Sequence, residues 1–115
     1  ATRQQNKAIG DYLQQKGWTV TGGGGQVKEE YLPPLSGKGR AGSNYIDITA
    51  TKTTSHGAVT IRINTVDTYA SGLPTAREQA AADLINRKIG SDPSIILIPK
   101  GTGLGNLPEL LRGFD

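Results

Sequence analysis

The chain has 115 residues, 35% of them hydrophobic, with one histidine, no cysteine and a formal charge of +3. That length suits one domain with one modest core. The lack of cysteine excludes disulfides and thiolate zinc sites, and a single histidine excludes chemistry that needs two, so a metal here would be a hard cation on carboxylate and carbonyl oxygens.

The charge balance is mildly basic, with a pI of about 9.3, which suits a polyanionic partner. No apolar run reaches the length of a membrane span, and the first residues lack a signal-peptide pattern. The chain opens inside a polar, helix-like segment, as either a whole small protein or a piece of a longer one would.

Arg3 to Lys16 reads as a helix, with Ala8, Ile9, Tyr12 and Leu13 on one stripe and Gly17 as its stop. Trp18–Thr21 is a short strand candidate. Gly22 to Gly25 lacks the Lys-Ser/Thr of a P-loop and does not open a helix, so a flexible hairpin turn is favoured over a phosphate cradle. Gln26–Leu32 reads as a second strand, carrying Glu29 and Glu30 and stopped by Pro33-Pro34. The loop from Leu35 to Asn44 is Gly-rich and basic, and Lys38 and Arg40 are its candidate phosphate contacts.

Two alternating runs follow, Tyr45–Thr51 and Ala58–Val66, joined through Ser55-His56-Gly57. Matching their apolar faces sets Asp47 opposite Asn64, or opposite Arg62 under a two-residue shift. Asp47, Arg62 and Asn64 are therefore expected on one face. Thr75–Ile89 is the clearest helix, opened by a Thr75/Glu78 capping box, with Ala81, Leu84, Ile85 and Ile89 as its buried stripe and Gly90 and Pro93 as its stop. Arg77 is expected to face the sheet. Ser94–Ile98 suits a central strand, parallel to the one before the helix. Leu107–Leu111 is a candidate terminal helix.

Aspartate is a poor strand former, so Asp47 between two isoleucines points to a functional group, for a divalent cation or for orienting the attacking group. An exposed edge strand would tolerate it too. Of the adjacent acids, Glu30 is the expected partner of Asp47, and solvated strand-edge charge accounts for the other. Asn64 can orient a water or a phosphate oxygen but cannot be a base. Asp67 is a ligand or base, or simply part of a turn. Thr65 and Thr68 can donate to phosphate or cap the strand end, and Arg62 joins the substrate-binding set. Arg77 at a helix N-terminus asks for an anionic partner, either phosphate or Asp67. Glu78 needs no role beyond the cap, and His56 reads as a surface residue.

The order of elements resembles the PD-(D/E)XK, or restriction-endonuclease-like, core. The sequence looks like the C-terminal nuclease toxin domains of contact-dependent growth inhibition systems. The resemblance covers roughly residues 5 to 100 and is carried by Lys28-Glu29-Glu30-Tyr31, Gly42 to Thr49, Asn64 to Thr68, Gly72 to Glu78, and Ile98-Pro99-Lys100. It implies the C-terminal piece of a longer secreted or cell-surface protein. Such a toxin acts in the cytoplasm of a neighbouring bacterium, often on tRNA, and is blocked by a cognate immunity protein. By position it makes Glu30 the first acid, Asp47 the motif aspartate, and Asn64 the residue at the (D/E)XK acid. Asn64-Thr65-Val66 has neither acid nor lysine, which departs from the family pattern. Two routes stay open, one Mg²⁺ held by Asp47 and Glu30, or a metal-light mechanism leaning on Asp67 and Arg77.

The expectation is therefore a monomeric α/β domain, a mixed central sheet with flanking helices, that cleaves RNA, tRNA foremost. The alternatives are a DNase of the same fold or a non-catalytic nucleic-acid-binding module. One Trp, four Tyr and one Phe among 115 residues argue for recognition of shape and backbone over base stacking.

Overall fold

The computed structural model describes residues 2–90 and 93–114. Its first helix, α1, spans Thr2–Gln15. Gly17, at φ 90°, ends it. The Trp18 N–H reaches the Leu13 carbonyl at 2.9 Å and the Gly17 N–H that of Gln14 at 3.1 Å, the paired bonds of a Schellman stop. Trp18 and Leu13 then enter the same core. The buried face of α1 is Gln5, Ile9, Gly10 and Leu13. Ala8 is exposed and Tyr12 only half-buried, because the packed face is turned toward Gly10 and away from them. Gln5 takes a buried place by donating to the Pro99 and Gly103 carbonyls at 3.0 and 2.9 Å and accepting from the Gly101 N–H at 3.1 Å. One satisfied amide thus ties α1 to the loop after the last strand.

The main sheet contains β1 (Thr19–Gly23), β4 (Ile48–Thr54), β5 (Gly57–Val66) and β6 (Ile96–Pro99), in the order β1-β4-β5-β6. The β4–β5 hairpin turns at Ser55-His56 and keeps the register that alternation demanded, with Ile48 opposite Ile63. His56 is exposed there. Strand β6 pairs in parallel with β5, as expected of a strand, helix, strand crossover, but it lies at the edge of the sheet and not at its centre. The crossing helix, α2, is Ala76–Ile89, and a short α3 (Leu107–Leu110) closes the chain. The result is a single small α/β domain with helices on a mixed sheet. No helix among the described residues is long and apolar enough to cross a membrane.

Two strands leave this sheet. Segment 26–32 is extended only as β2 (Glu30–Leu32), which pairs with β3 (Asn44–Ile46) in a separate ribbon. The glycine run therefore does not join a hairpin. The expected strand 45–51 is broken at Asp47, so β3 and β4 belong to different sheets.

Alternation sorts the core into two faces. Ile9, Leu13, Trp18, Ile48, Ile61, Ile63, Ile98 and Leu107 pack together around α1 and α3. Ile46, Ala82, Ile85 and Ile95 pack together around α2. Each fully buried isoleucine contributes on the order of 2 kcal/mol. On α2 the fully buried positions are Ala82 and Ile85, while Ala81, Leu84 and Ile89 are half-buried. The glycine run closes against the other face. A Cβ on Gly23 would lie 1.7 Å from the Asp47 carbonyl oxygen, and one on Gly10 3.1 Å from that of Gly24.

Gly23→Ala is therefore expected to destabilise the domain by on the order of 3 kcal/mol or more, combining a left-handed φ with a backbone clash. Gly37→Ala, equally left-handed but with nothing within 4 Å, should cost about 1 kcal/mol. Urea unfolding midpoints of the two variants would show this difference, and equal midpoints would refute the close approach.

Candidate active site

The site is built on the strand break. The Asp47 N–H donates to Asn64 Oδ1 at 2.8 Å, and the Asp47 carbonyl accepts the Gly24 N–H at 3.0 Å. Both backbone groups are satisfied outside a regular ladder, which lets the chain turn there. The carboxylate is fixed as well. Oδ2 accepts the Thr65 N–H at 2.9 Å and meets the Thr65 hydroxyl at 3.1 Å. Thr65 is buried, and its hydroxyl also lies 3.0 Å from the Asn6 side-chain oxygen. A hydroxyl has one proton. With the Asn6 amide turned over, its NH₂ donates to Thr65, and Thr65 donates to Asp47.

Across a cleft of about 510 Å³, Asp47 faces Glu29. The glycine loop and the first turn of α1 wall this cleft, with Arg3 and Asn6 supplied by the helix. Glu29 has its pKa raised above the ordinary 4.5, by partial burial first, then by the Asp47 charge and by a hydrogen bond shared with Asp47. Two facing carboxyl groups in different environments can divide the roles of acid and base. Both offer hard oxygens. Mg²⁺ is commonly held by one or two carboxylates plus phosphate oxygens, so this pair fits such an ion. No group of three metal-ligating side chains occurs among the described residues.

Glu30, the expected partner acid, is committed elsewhere. It faces the sheet, where Arg62 grips it through Nε at 2.9 Å and Nη2 at 3.2 Å, and the Thr49 hydroxyl donates to it at 2.7 Å. Burial opposes its ionisation, but the Arg62 and Thr49 hydrogen bonds and the Arg62 charge outweigh it and lower the pKa. Arg62 is thereby a structural partner of Glu30. Asn64 and Thr65 do stand at Asp47, as positioning residues. The Asp47 carboxylate rests on Thr65, not beside Arg62, because the break rotates it away from the alternating face.

The Asp67–Arg77 pairing is not formed. Asp67 is exposed and bridges Lys100 at 3.1 Å. Arg77 is exposed on α2 and pairs with no carboxylate among the described residues, so it does not face the sheet. Thr75 caps α2 by accepting the Glu78 N–H at 3.3 Å, while Glu78 reaches back to the Asp67 N–H at 2.7 Å. Its carboxylate secures the end of β5 in place of closing a reciprocal box. Thr68 is half-buried and bridges to Pro74. Lys38 and Arg40 are exposed on the Gly-rich loop, and Arg40 lines a second recess. Glu29, expected as solvated strand-edge charge, lines the cleft with Asp47 in place of Glu30, and Arg3 and Asn6 carry no expectation beyond the first helix. Their signals were the 3-residue spacing of Arg3 and Asn6 in a first helical turn, and the shared parity of Glu29 with Tyr31. Comparison with family models, curated proteins and solved structures finds no match to the chain.

A raised carboxyl pKa carries stability that is present below the unfolded value of 4.5 and lost as pH rises through the folded value. Glu29→Gln removes that loss. Its melting temperature should exceed the wild-type value at pH 7, with the gap closing as pH falls to 4.5. A gap independent of pH would show that Glu29 does not face Asp47. Glu30 has the opposite sign, since its lowered pKa gives stability present above 4.5 and lost as pH falls through the folded value.

Proposed function

We propose that this domain is a nuclease that cleaves phosphodiester bonds in RNA, tRNA foremost, with Glu29 and Asp47 as its catalytic pair. The facing carboxyl groups of Glu29 and Asp47, in a cleft that also holds Arg3, carry the reading. The interbacterial setting, delivery from the cell surface into a neighbour's cytoplasm and a cognate immunity protein rest on the resemblance to growth-inhibition toxins. The order helix, three antiparallel strands, helix and parallel strand supports a restriction-endonuclease-like core, with Asp47 at the start of the second sheet strand.

Asp47, locked by Thr65 and Asn64, takes the proton of the attacking oxygen. Glu29, poised to hold a proton, gives one to the oxygen that leaves phosphorus. Arg3 supplies positive charge for the phosphoryl oxygens. A divalent cation would be held by the ionised Glu29 and Asp47, with Glu29 then a ligand and not the proton donor, and would supply charge for the transition state. Thr65 holds the carboxylate and Asn64 the backbone of Asp47, which fixes the base in place for the reaction.

The test is incubation of the purified chain with total bacterial RNA and with plasmid DNA, each in Mg²⁺ and in EDTA. Discrete tRNA fragments are expected, and Asp47→Asn and Glu29→Gln should each slow their appearance about 100-fold or more while the fold is retained. Asp47→Asn keeps an acceptor for the Thr65 N–H, so loss of folding is not expected. Wild-type rates in Asp47→Asn would remove the assignment, and cutting of plasmid alone would make the enzyme a DNase.

A further inference from the structure

The ribbon of β2 and β3 carries a second feature that the cleft does not use. Tyr31 lies opposite Tyr45 in its register, and their rings meet at 5.1 Å between centroids with planes inclined at 53°. Both rings are open to solvent, at 42% and 57% exposure. The ribbon does not need them for its own packing. Its opposite face, with Ile46 buried and Leu32 packed beside it, supplies the contact with α2. Beside the tyrosines is a recess of about 470 Å³ that also contains Lys28, Arg40 and Ser43. Lys28 and Arg40 pair with no carboxylate among the described residues. Lys88 fixes the loop bearing Arg40 by donating to the Gly42 carbonyl and Asn44 Oδ1, both at 2.6 Å.

The position of this recess relates it to the cleft. The ladder that holds Tyr31–Tyr45 ends at Glu30–Ile46, and the next residue along each strand is Glu29 and Asp47, which line the cleft together. Side chains two residues apart on a strand share a face and stand about 7 Å apart. The carboxylate pair lies two residues along each strand from the tyrosine pair, just past the end of the ribbon.

We infer that Tyr31 and Tyr45, with Lys28 and Arg40, form a subsite that stacks an unpaired base of the RNA strand next to the bond to be cut. The choice of RNA rests on the function proposed above. An aromatic face holds any base by stacking, and flanking cations without acidic partners hold its phosphates. A duplex keeps its bases stacked on one another and cannot offer one to the tyrosines, so the site selects loops, bulges and ends. Few aromatic residues are present in the chain, but two of its four tyrosines are concentrated at this point.

The test uses the Asp47→Asn chain, to stop turnover, with a fluorescein-labelled 12-nucleotide single-stranded RNA and a fully paired RNA duplex, followed by anisotropy. Tyr31→Ala and Tyr45→Ala should each weaken single-strand binding about 10-fold, with Tyr45→Trp retaining it and duplex binding changing little. Lys28→Ala and Arg40→Ala should weaken both ligands and flatten the salt dependence. Melting temperatures exclude misfolding, and Tyr45→Trp controls for loss of the ring pair. Unchanged single-strand binding in both alanine variants overturns the subsite, as does tighter binding of the matching oligodeoxyribonucleotide or equal losses on single strand and duplex. The two readings separate cleanly. RNA cleavage by the wild-type chain without tyrosine-dependent binding removes the subsite alone, whereas tyrosine-dependent binding without any cleavage removes the nuclease and keeps the subsite.

Discussion

The interruption of the second long strand at Asp47 is the constraint on which the rest of the molecule depends. Its N–H goes to the Asn64 side chain, its carbonyl to the Gly24 N–H and its carboxylate to Thr65. Two segments distant in sequence, β5 and the glycine run, thereby meet at one residue. Because the ladder is used up at that point, the chain before it is free to leave the sheet and pair with β2. Without the break, segment 44–54 would be one continuous strand and Glu29 would have no reason to lie near Asp47. The glycines are subordinate to the same contact. Gly23 is required because its φ is left-handed and the Asp47 carbonyl occupies the space of its side chain.

The same junction separates charges that are adjacent in sequence. Glu29 and Glu30 alternate, so one points to the outer face of the ribbon and the other to the sheet. Glu30 meets Arg62 and Thr49 and becomes a partly buried, well-paired ion. Such a pair locates the ribbon over the sheet, because leaving either member unpartnered would be costly. Glu29, partly buried and facing another carboxylate, is pushed toward its protonated form. Two identical side chains thus acquire opposite electrostatic environments from the parity of one strand. The acid held by a cation is structural, and the acid facing an acid is the one to which the proposed mechanism gives proton transfer.

The C-terminal segment has a comparable dependence on one polar residue. Gln5 reaches three backbone groups between Pro99 and Gly103 and holds α1 across the sheet end. This fixes the first turn of the helix, and with it Arg3 and Asn6, at the rim of the cleft. Packing of the helix and composition of the site are therefore one problem, solved by an amide that an apolar count overlooks.

Local sequence determined much of the scaffold, since its causes act over a few residues. Gly17 after a helical run, Thr75 three residues before Glu78, and alternating apolar residues at Ile46, Ile48, Ile61 and Ile63 place the helices, the hairpin and its register by sterics and capping alone. Asp47, Asn64 and Thr65 could be singled out because polar groups in strands are unfavourable without a partner. Tertiary structure alone decided which partner each one has. Glu30 binds Arg62 across 32 positions, Asp47 binds Thr65 across 18, and Asp67 turns to Lys100 and not to Arg77. Those pairings depend on where the chain leaves one sheet for another. That in turn is set by the competition of backbone groups for hydrogen bonds at Asp47, a competition between distant segments that no local pattern records.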